Sequence, residues 1–331
     1  MILKLFRFFI LKLIRLISFF PSKFKVKFLN NFIKELNDND STFYYTFNYR
    51  NKFFKESKNK VKFNTAIIIQ GPILRKNNFT INTINLYIKQ CKSTIILSTW
   101  KNDLSQKEIL NLKKKGVKII INEPPKVAGP GNINFQLRTT SEALKLSLKL
   151  GNKFSIKTRT DCRIYLNNFD ENLFKFHNFY LKKIPSIKIG STSLTRSKRL
   201  FGISDIFMYG VTKELLSYFP KCYDQKVFDK FRKFLNKLKN KDKRFLKDSY
   251  KCIPENFLSY NYITKNINRK INYNPKDYYR CLKNYFLIID NSALDFFWYK
   301  YNHQFEFRDK EYNNDVLYSY LSHLRWLKIN F

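Results

Sequence analysis

Residues Arg159-Thr160-Asp161-Cys162-Arg163 set one carboxylate between two guanidinium groups. A carboxylate held in a loop can bind Mg2+ or Mn2+, and the ion then bridges a diphosphate. Arginine can meet the same diphosphate directly through paired hydrogen bonds. The plain alternative is an ion pair that closes a strand end. Upstream, GPGNINFQLRTT (129–140) is a loop entering a helix, with Asn132, Asn134, Gln136 and Arg138 crowded at its start. Backbone N–H groups there attract phosphate or sugar hydroxyls, while Asn132 or Asn134 could equally be an ordinary N-cap. Two later carboxylates are candidates to take a proton from an acceptor hydroxyl. Asp205 lies among apolar residues, where a lone charge must be paired or used. Glu255 follows Pro254 at a helix start, where the helix dipole favours its charge.

The elements that must position these groups alternate between two periods. TAIIIQ (65–70) is a short apolar run ended by Gly71-Pro72, which reads as a buried strand feeding a loop. TIILSTW (94–100), VKIII (117–121) and KFSIK (153–157) are further strands. Residues 79–91, 103–115 and 134–150 have helical spacing, the second capped by Asp103 or Ser105 and closed by Gly116, the third closed by Gly151. Strand–helix alternation at this spacing predicts an α/β fold with a mostly parallel sheet flanked by helices. Ligands of such sheets bind beyond the carboxyl ends of the strands. The polar clusters fall there: Gln70-Gly71-Pro72, Ser98-Thr99-Trp100, Asn122-Glu123 and Arg159 to Arg163.

Residues 187–210 hold two strand-like runs, KIGSTS and RLFGISDIFMYG. Residues 224–250 predict one long basic amphipathic helix, with Phe228, Phe231, Leu235 and Leu238 on one face, lying as a lid over the core. The aromatic tail is expected to pack on the core, and His303 is a candidate to complete a metal site.

The formal net charge is +38. Such a surface attracts anions, although Lys, Asn, Ile, Phe and Tyr dominate here as A/T-rich codons would make them. Five separated cysteines with no CxxC pair exclude a disulfide framework and a zinc site and fit a reducing cytoplasm. Of residues 1–20, 15 are apolar, and Lys4, Arg7, Lys12 and Arg15 are the charged ones. At about 100° per residue those four share an arc of about 140° on a helix. That pattern predicts a helix lying in the plane of an anionic membrane surface, here the cytoplasmic face of the inner membrane.

There is no GxGxxG after the first strand, no P-loop and no GxSxG. The sequence instead resembles the WavE family, implicated in lipopolysaccharide core synthesis. The resemblance rests on IIIQGPI, IILSTW, the spacing P-x3-G-x-G-N-x-N-x-Q-x2-T-T from Pro125 to Thr140, KTRTDCRI, and the later blocks FGISDIFMYG and PENFL. It covers about residues 63–262 and implies a GT-A-like fold and a glycosyltransferase that uses a nucleotide-sugar donor and a glycan or glycolipid acceptor. By the same resemblance Gln70, Gly71 and Pro72 adjoin the nucleotide; the polar strand ends and helix start add Ser98, Thr99, Asn132, Asn134, Gln136, Arg159, Asp161 and Arg163 as candidates for the donor site. Asp161 takes the place of a metal-binding carboxylate for Mg2+ or Mn2+, but Arg159 stands where a paired aspartate would be. A sugar-phosphate or nucleotidyl transferase on the same fold is a second reading, and it lacks its Gly-rich loop. A basic membrane- or nucleic-acid-binding protein without catalysis is a third, and it leaves the polar strand ends unexplained. No specific nucleic-acid partner is expected. The organisation read from the sequence is an N-terminal segment (1–62), a GT-A-like domain (63–290, divided at 165 into nucleotide and acceptor halves) and a C-terminal aromatic segment (291–331).

Overall fold

The computed structural model describes residues 64–238, 241–267, 270–299 and 320–329, together with the backbone of 303–304. The expected membrane-surface helix and lead-in of residues 1–62 lie outside the described residues. Strand β1 (Thr65–Gln70) is buried along its whole length, so its apolar run is covered on both faces. Strands β2 (Thr94–Trp100), β3 (Lys118–Asn122) and β4 (Phe154–Arg159) lie parallel with it. Helices α1 (Phe79–Gln90), α2 (Gln106–Lys114) and α3 (Ile133–Lys149) make the crossovers. Ser105, not Asp103, caps α2, in a reciprocal capping box with Glu108.

The main sheet has seven strands in the order β3-β2-β1-β4-β7-β6-β8. Its far half comprises β6 (Ile189–Thr192), β7 (Met208–Val211) and β8 (Phe286–Ile289). β7 runs antiparallel to both of its neighbours, and β8 is parallel to β6. A smaller antiparallel sheet joins β5 (Cys162–Ile164), β9 (Phe296–Trp298) and β10 (His303–Gln304). The helices of the second half are α4 (Phe169–Lys183), α5 (Thr212–Tyr218), α6 (Gln225–Asn236), α7 (Pro254–Asn266), α8 (Pro275–Tyr285) and α9 (His323–Leu327). This is the expected mostly parallel sheet flanked by helices.

Three expectations need correction. The run from Arg199 to Phe207 is not a strand until Met208. Its backbone groups are met by side chains instead, Ser204 N donating to Thr195 Oγ1 at 3.1 Å and Ser191 Oγ to the Ser204 carbonyl at 2.7 Å. The long basic helix ends at Asn236. Beyond Leu238 the run KNKDKR holds nothing apolar to bury. The apolar face of α6 does lie on the core, with Phe228 and Phe231 against Phe257 of α7 at ring distances of 5.0 and 5.4 Å. The C-terminal part is not purely helical, because Phe286–Ile289 and Phe296–Trp298 supply strands to both sheets. Among the described residues no helix is long and apolar enough to cross a membrane.

Alternate residues of β4 serve opposite layers. Ser155 meets Ser147 of α3 and Thr212 of α5, each at 2.9 Å, so the odd positions face those helices. Phe154 packs on Phe174 and His177 of α4 on the other side, at 5.4 and 5.3 Å. His177 is fully buried, and among the described residues neither ring nitrogen has a hydrogen-bond partner. Burial pushes its pKa down to about 4, with the charge of Lys188 adding to the effect.

The sign of the resulting pH dependence follows from linkage. Between pH 6.5 and 4 the unfolded chain takes up a proton at His177 that the folded chain refuses, so stability is lost as the pH falls through that window. His177→Phe should abolish this component, roughly 3 kcal/mol in full. Urea unfolding of both proteins at pH 7 and pH 4.5 measures it, and a stability difference that does not change with pH would contradict it.

Candidate functional site

The site builds from the strand ends. Gln70 closes β1 with its Oε1 accepting a hydrogen bond from Thr139 Oγ1 of α3 at 2.8 Å. Gly71 turns the chain at φ +119, and a Cβ there would come within 3.0 Å of Thr160 Oγ1. Its N–H donates to the Ser98 carbonyl, and Thr160 N–H to the Gln70 carbonyl, both at 3.1 Å. Pro72 follows, exposed. Ser98 is occupied in holding the next strand: Asn122 Nδ2 donates to its Oγ and to the Thr99 carbonyl, each at 2.9 Å. The Thr99 hydroxyl donates to the Asp103 carboxylate, which also accepts from Ile73 N at 3.2 Å and Trp100 N at 3.3 Å. Asp103 therefore ties the loop after β1 to the loop after β2, a role the sequence reading gave it only as a helix cap.

At the end of β4, Arg159 holds Asp161 with two of its three guanidinium nitrogens, Nε to Oδ1 at 2.8 Å and Nη2 to Oδ2 at 3.0 Å. Trp298 Nε1 donates to the same Oδ2 at 3.0 Å. Burial acts to raise the Asp161 pKa, but the charge and hydrogen bonds of Arg159 and the Trp298 N–H hold it below the usual carboxylate range. A divalent cation needs several oxygen ligands with free lone pairs. Both oxygens of Asp161 already accept, and no group of three His, Cys, Asp or Glu able to surround an ion occurs among the described residues. Asp161 in this arrangement does not fit a metal ligand. The side chain of His303 lies outside the described residues.

Arg163 departs from the donor-site expectation. It is buried, with Nε on Thr83 Oγ1 at 2.8 Å, Nη2 on the Phe79 carbonyl at 2.9 Å and its guanidinium 4.1 Å from the Phe79 ring centroid. The period of β5 turns it towards α1, where it braces the sheet. Asn134 is also a clamp. Its Nδ2 donates to the carbonyls of Val127 and Tyr223 at 2.9 and 2.7 Å, and its Oδ1 accepts from Tyr223 N at 2.9 Å. Asn132 is exposed, in the left-handed region at φ 59, with no capping hydrogen bond from its side chain. Beside this loop lies a cleft of about 330 Å³ bordered by Pro125, Lys126, Arg138, Tyr223 and Asp224.

Gln136 faces the interior of the site, its Nε2 donating to the Asp205 carbonyl at 3.3 Å. The same carbonyl accepts from the Lys157 ammonium, which is fully buried and lies 5.1 Å from the Phe219 ring centroid. Burial pushes the Lys157 pKa down to about 8 against the opposing charge of Asp205. The Asp205 side chain is 93% shielded, with a relative exposure of 7%, and its carboxylate has no hydrogen bond among the described residues. Its charge reaches the half-buried Glu255 at the start of α7. Burial raises the Glu255 pKa, Asp205 adds to this, and Arg199 opposes it from 3.6 Å. Arg199 is itself anchored on Asp248 at 2.9 Å. Lys157 and Arg199 are the residues that sequence reasoning missed. The odd-position face of β4 was the available signal for Lys157, since Ser155, Lys157 and Arg159 share it.

The family model for WavE lipopolysaccharide synthesis matches residues 65–291, and the chain belongs to that family. Comparison with curated proteins gives no match. Among solved structures the chain is similar to mouse xyloside xylosyltransferase 1 in its apo form, at 10% identity over 70% of this chain and 86% of that one, with a TM-score of 0.37. It is also similar to S. aureus TarS residues 1–349 in complex with UDP, at 12% identity over 52% of this chain and 55% of that one, with a TM-score of 0.32. A putative glucose-1-phosphate thymidylyltransferase from Bacillus anthracis, in complex with a sucrose, gives 12% identity over 61% and 84% of the two chains and a TM-score of 0.31.

The raised Glu255 pKa has a measurable consequence. A carboxyl whose pKa rises on folding contributes stability that is full below its unfolded value and lost as the pH climbs through the folded one. Glu255→Gln should therefore gain stability relative to the unmodified chain between pH 4.5 and pH 7. Denaturant midpoints across that range are the readout, and a constant difference would show that Glu255 titrates normally.

Proposed function

We propose that this protein is a glycosyltransferase that moves a sugar from a nucleotide-sugar donor to a glycan of the cell envelope, with the lipopolysaccharide core as the leading acceptor. Family membership supports the pathway. The observation that carries the chemistry is the placing of two shielded carboxylates, Asp205 and Glu255, within one another's field, Asp205 also within that of Arg159 at the end of a parallel strand and Glu255 3.6 Å from Arg199. Ligands of such sheets sit at those ends. In the reaction the acceptor hydroxyl oxygen bonds to the anomeric carbon. The bond from that carbon to the diphosphate oxygen breaks, and its electron pair leaves with the diphosphate. The hydroxyl proton passes to Glu255, whose raised pKa makes its carboxylate the stronger base. Asp205 keeps that pKa raised, and Arg199 holds the Glu255 carboxylate in place.

Gln70, Gly71 and Pro72 form the wall nearest the nucleotide in this reading, with Ser98, Thr99 and Asn134 acting beneath it as supports. The nucleotidyl-transferase alternative needs a Gly-rich phosphate loop, and the turn QGPILRKNN after β1 has a single glycine. The basic helical pattern of residues 1–20 supports a peripheral location on an anionic membrane surface, where a lipid-linked acceptor would be met.

The test is a thermal-shift panel of UDP, GDP, CDP and ADP and their sugar conjugates on the purified chain. A saturable shift selective for one base is expected, and Glu255→Gln should retain it while losing at least about 100-fold in sugar transfer to membrane glycan. Equal shifts for all bases, tracking phosphate charge alone, would sink the assignment and leave the +38 surface as the explanation.

A further inference from the structure

The end of β4 offers a cation where the chemistry would call for one, and the carboxylate beside it is engaged in aiming that cation. Arg159 uses Nε and Nη2 on Asp161; its Nη1 carries no hydrogen bond among the described residues, and its side chain is 36% exposed. The guanidinium is fixed from a second side by the Trp298 ring, 5.6 Å from its centre. Trp298 in turn is set by pairing with Cys162 across β5 and β9 and by its own N–H on Asp161. Arg159 stands in register with Gln70 on the neighbouring strand, at the strand end where the proposed donor site begins, and its side chain is open to solvent there. Two residues back on the same face, the buried Lys157 adds a second positive charge close enough to be felt by that of Arg159.

We propose that the donor's diphosphate is held directly by Arg159, without a bridging divalent cation, and that Asp161 is the positioning residue that orients the guanidinium. This rests on the nucleotide-sugar reading given above. With Nε and one N–H of Nη2 on Asp161, the Nη1–Nη2 edge of the guanidinium still has N–H groups to offer phosphate oxygens, and it stays charged throughout the cycle. Holding it against Asp161 and Trp298 in advance removes the ordering that a free arginine would need on binding.

The experiment is calorimetric titration of the full chain with UDP, GDP, CDP and ADP, each in EDTA and again in Mn2+. It is run on the unmodified chain, Arg159→Met, Arg159→Lys and Asp161→Asn, with unliganded thermal unfolding to establish that each variant folds. The selected nucleotide is expected to bind in EDTA within about twofold of its affinity in Mn2+. Arg159→Met should weaken it at least tenfold under both conditions, the size of one lost charge-assisted hydrogen bond. Arg159→Lys, which keeps the charge but loses the fork, should weaken it too, and decides the matter if the Met variant does not fold. Asp161→Asn should cost less than Arg159→Met and equally in EDTA and Mn2+. Binding seen only with Mn2+ and abolished in Asp161→Asn would overturn the proposal and make Asp161 a metal ligand, leaving the donor reading intact. Failure of every nucleotide to bind the unmodified chain in either condition would overturn both.

Discussion

A lysine with no access to water constrains everything around it. Lys157 lies in the middle of β4, between the sheet and the α3/α5 layer, and an ammonium there is costly unless its donors are met. The Asp205 carbonyl and the Phe219 ring meet it, so the chain from Ser204 to Phe207 must pass over the sheet at that point. The segment consequently remains irregular until Met208. Gln136 fastens the same carbonyl from α3, which fixes the first turns of that helix. Asp205 thus arrives beside Glu255 because its backbone is needed elsewhere, and its side chain remains uncommitted.

From this point the charges alternate along the strand ends. Asp161 is bound by Arg159, Asp205 lies beside Lys157, and Glu255 is restrained by Arg199, which Asp248 anchors. Each carboxylate has a cation near it, yet only Asp161 is fully occupied by its partner. The difference separates a carboxylate whose two oxygens are both engaged from two that are held more loosely. In a protein with a formal charge of +38, an acidic pair shielded from that surplus is a local exception sustained by burial.

Much of this was legible in the sequence. The four parallel strands and three crossover helices announce themselves by an abrupt change of period, and their glycine stops at 116 and 151 take the expected left-handed conformation. The strand-end clusters also fall where the fold requires. What could not be read was direction. Arg163 and Arg159 look equivalent on either side of Asp161, but the turn into β5 sends one inward to Phe79 and leaves the other at the rim. Asn134 reads as a cap or a ligand, and only the arrival of Tyr223 from a distant segment makes it a clamp. Lys157 was hidden by composition, since one more lysine in a lysine-rich chain draws no notice. The extent of α6 was overread because charge and helical spacing persist past the point where anything remains to be covered.

The loop before α3 carries one more consequence. Gly131 sits at φ 57, and a Cβ there would come within 2.9 Å of Pro254 Cγ, at the residue before Glu255. Two segments more than a hundred residues apart are thereby fitted to each other atom for atom. A side chain at position 131 would press on the Pro254 ring, and so on the start of the helix that carries Glu255. The setting of Glu255 is thus shared between two distant stretches of chain, and neither can be rebuilt without regard to the other.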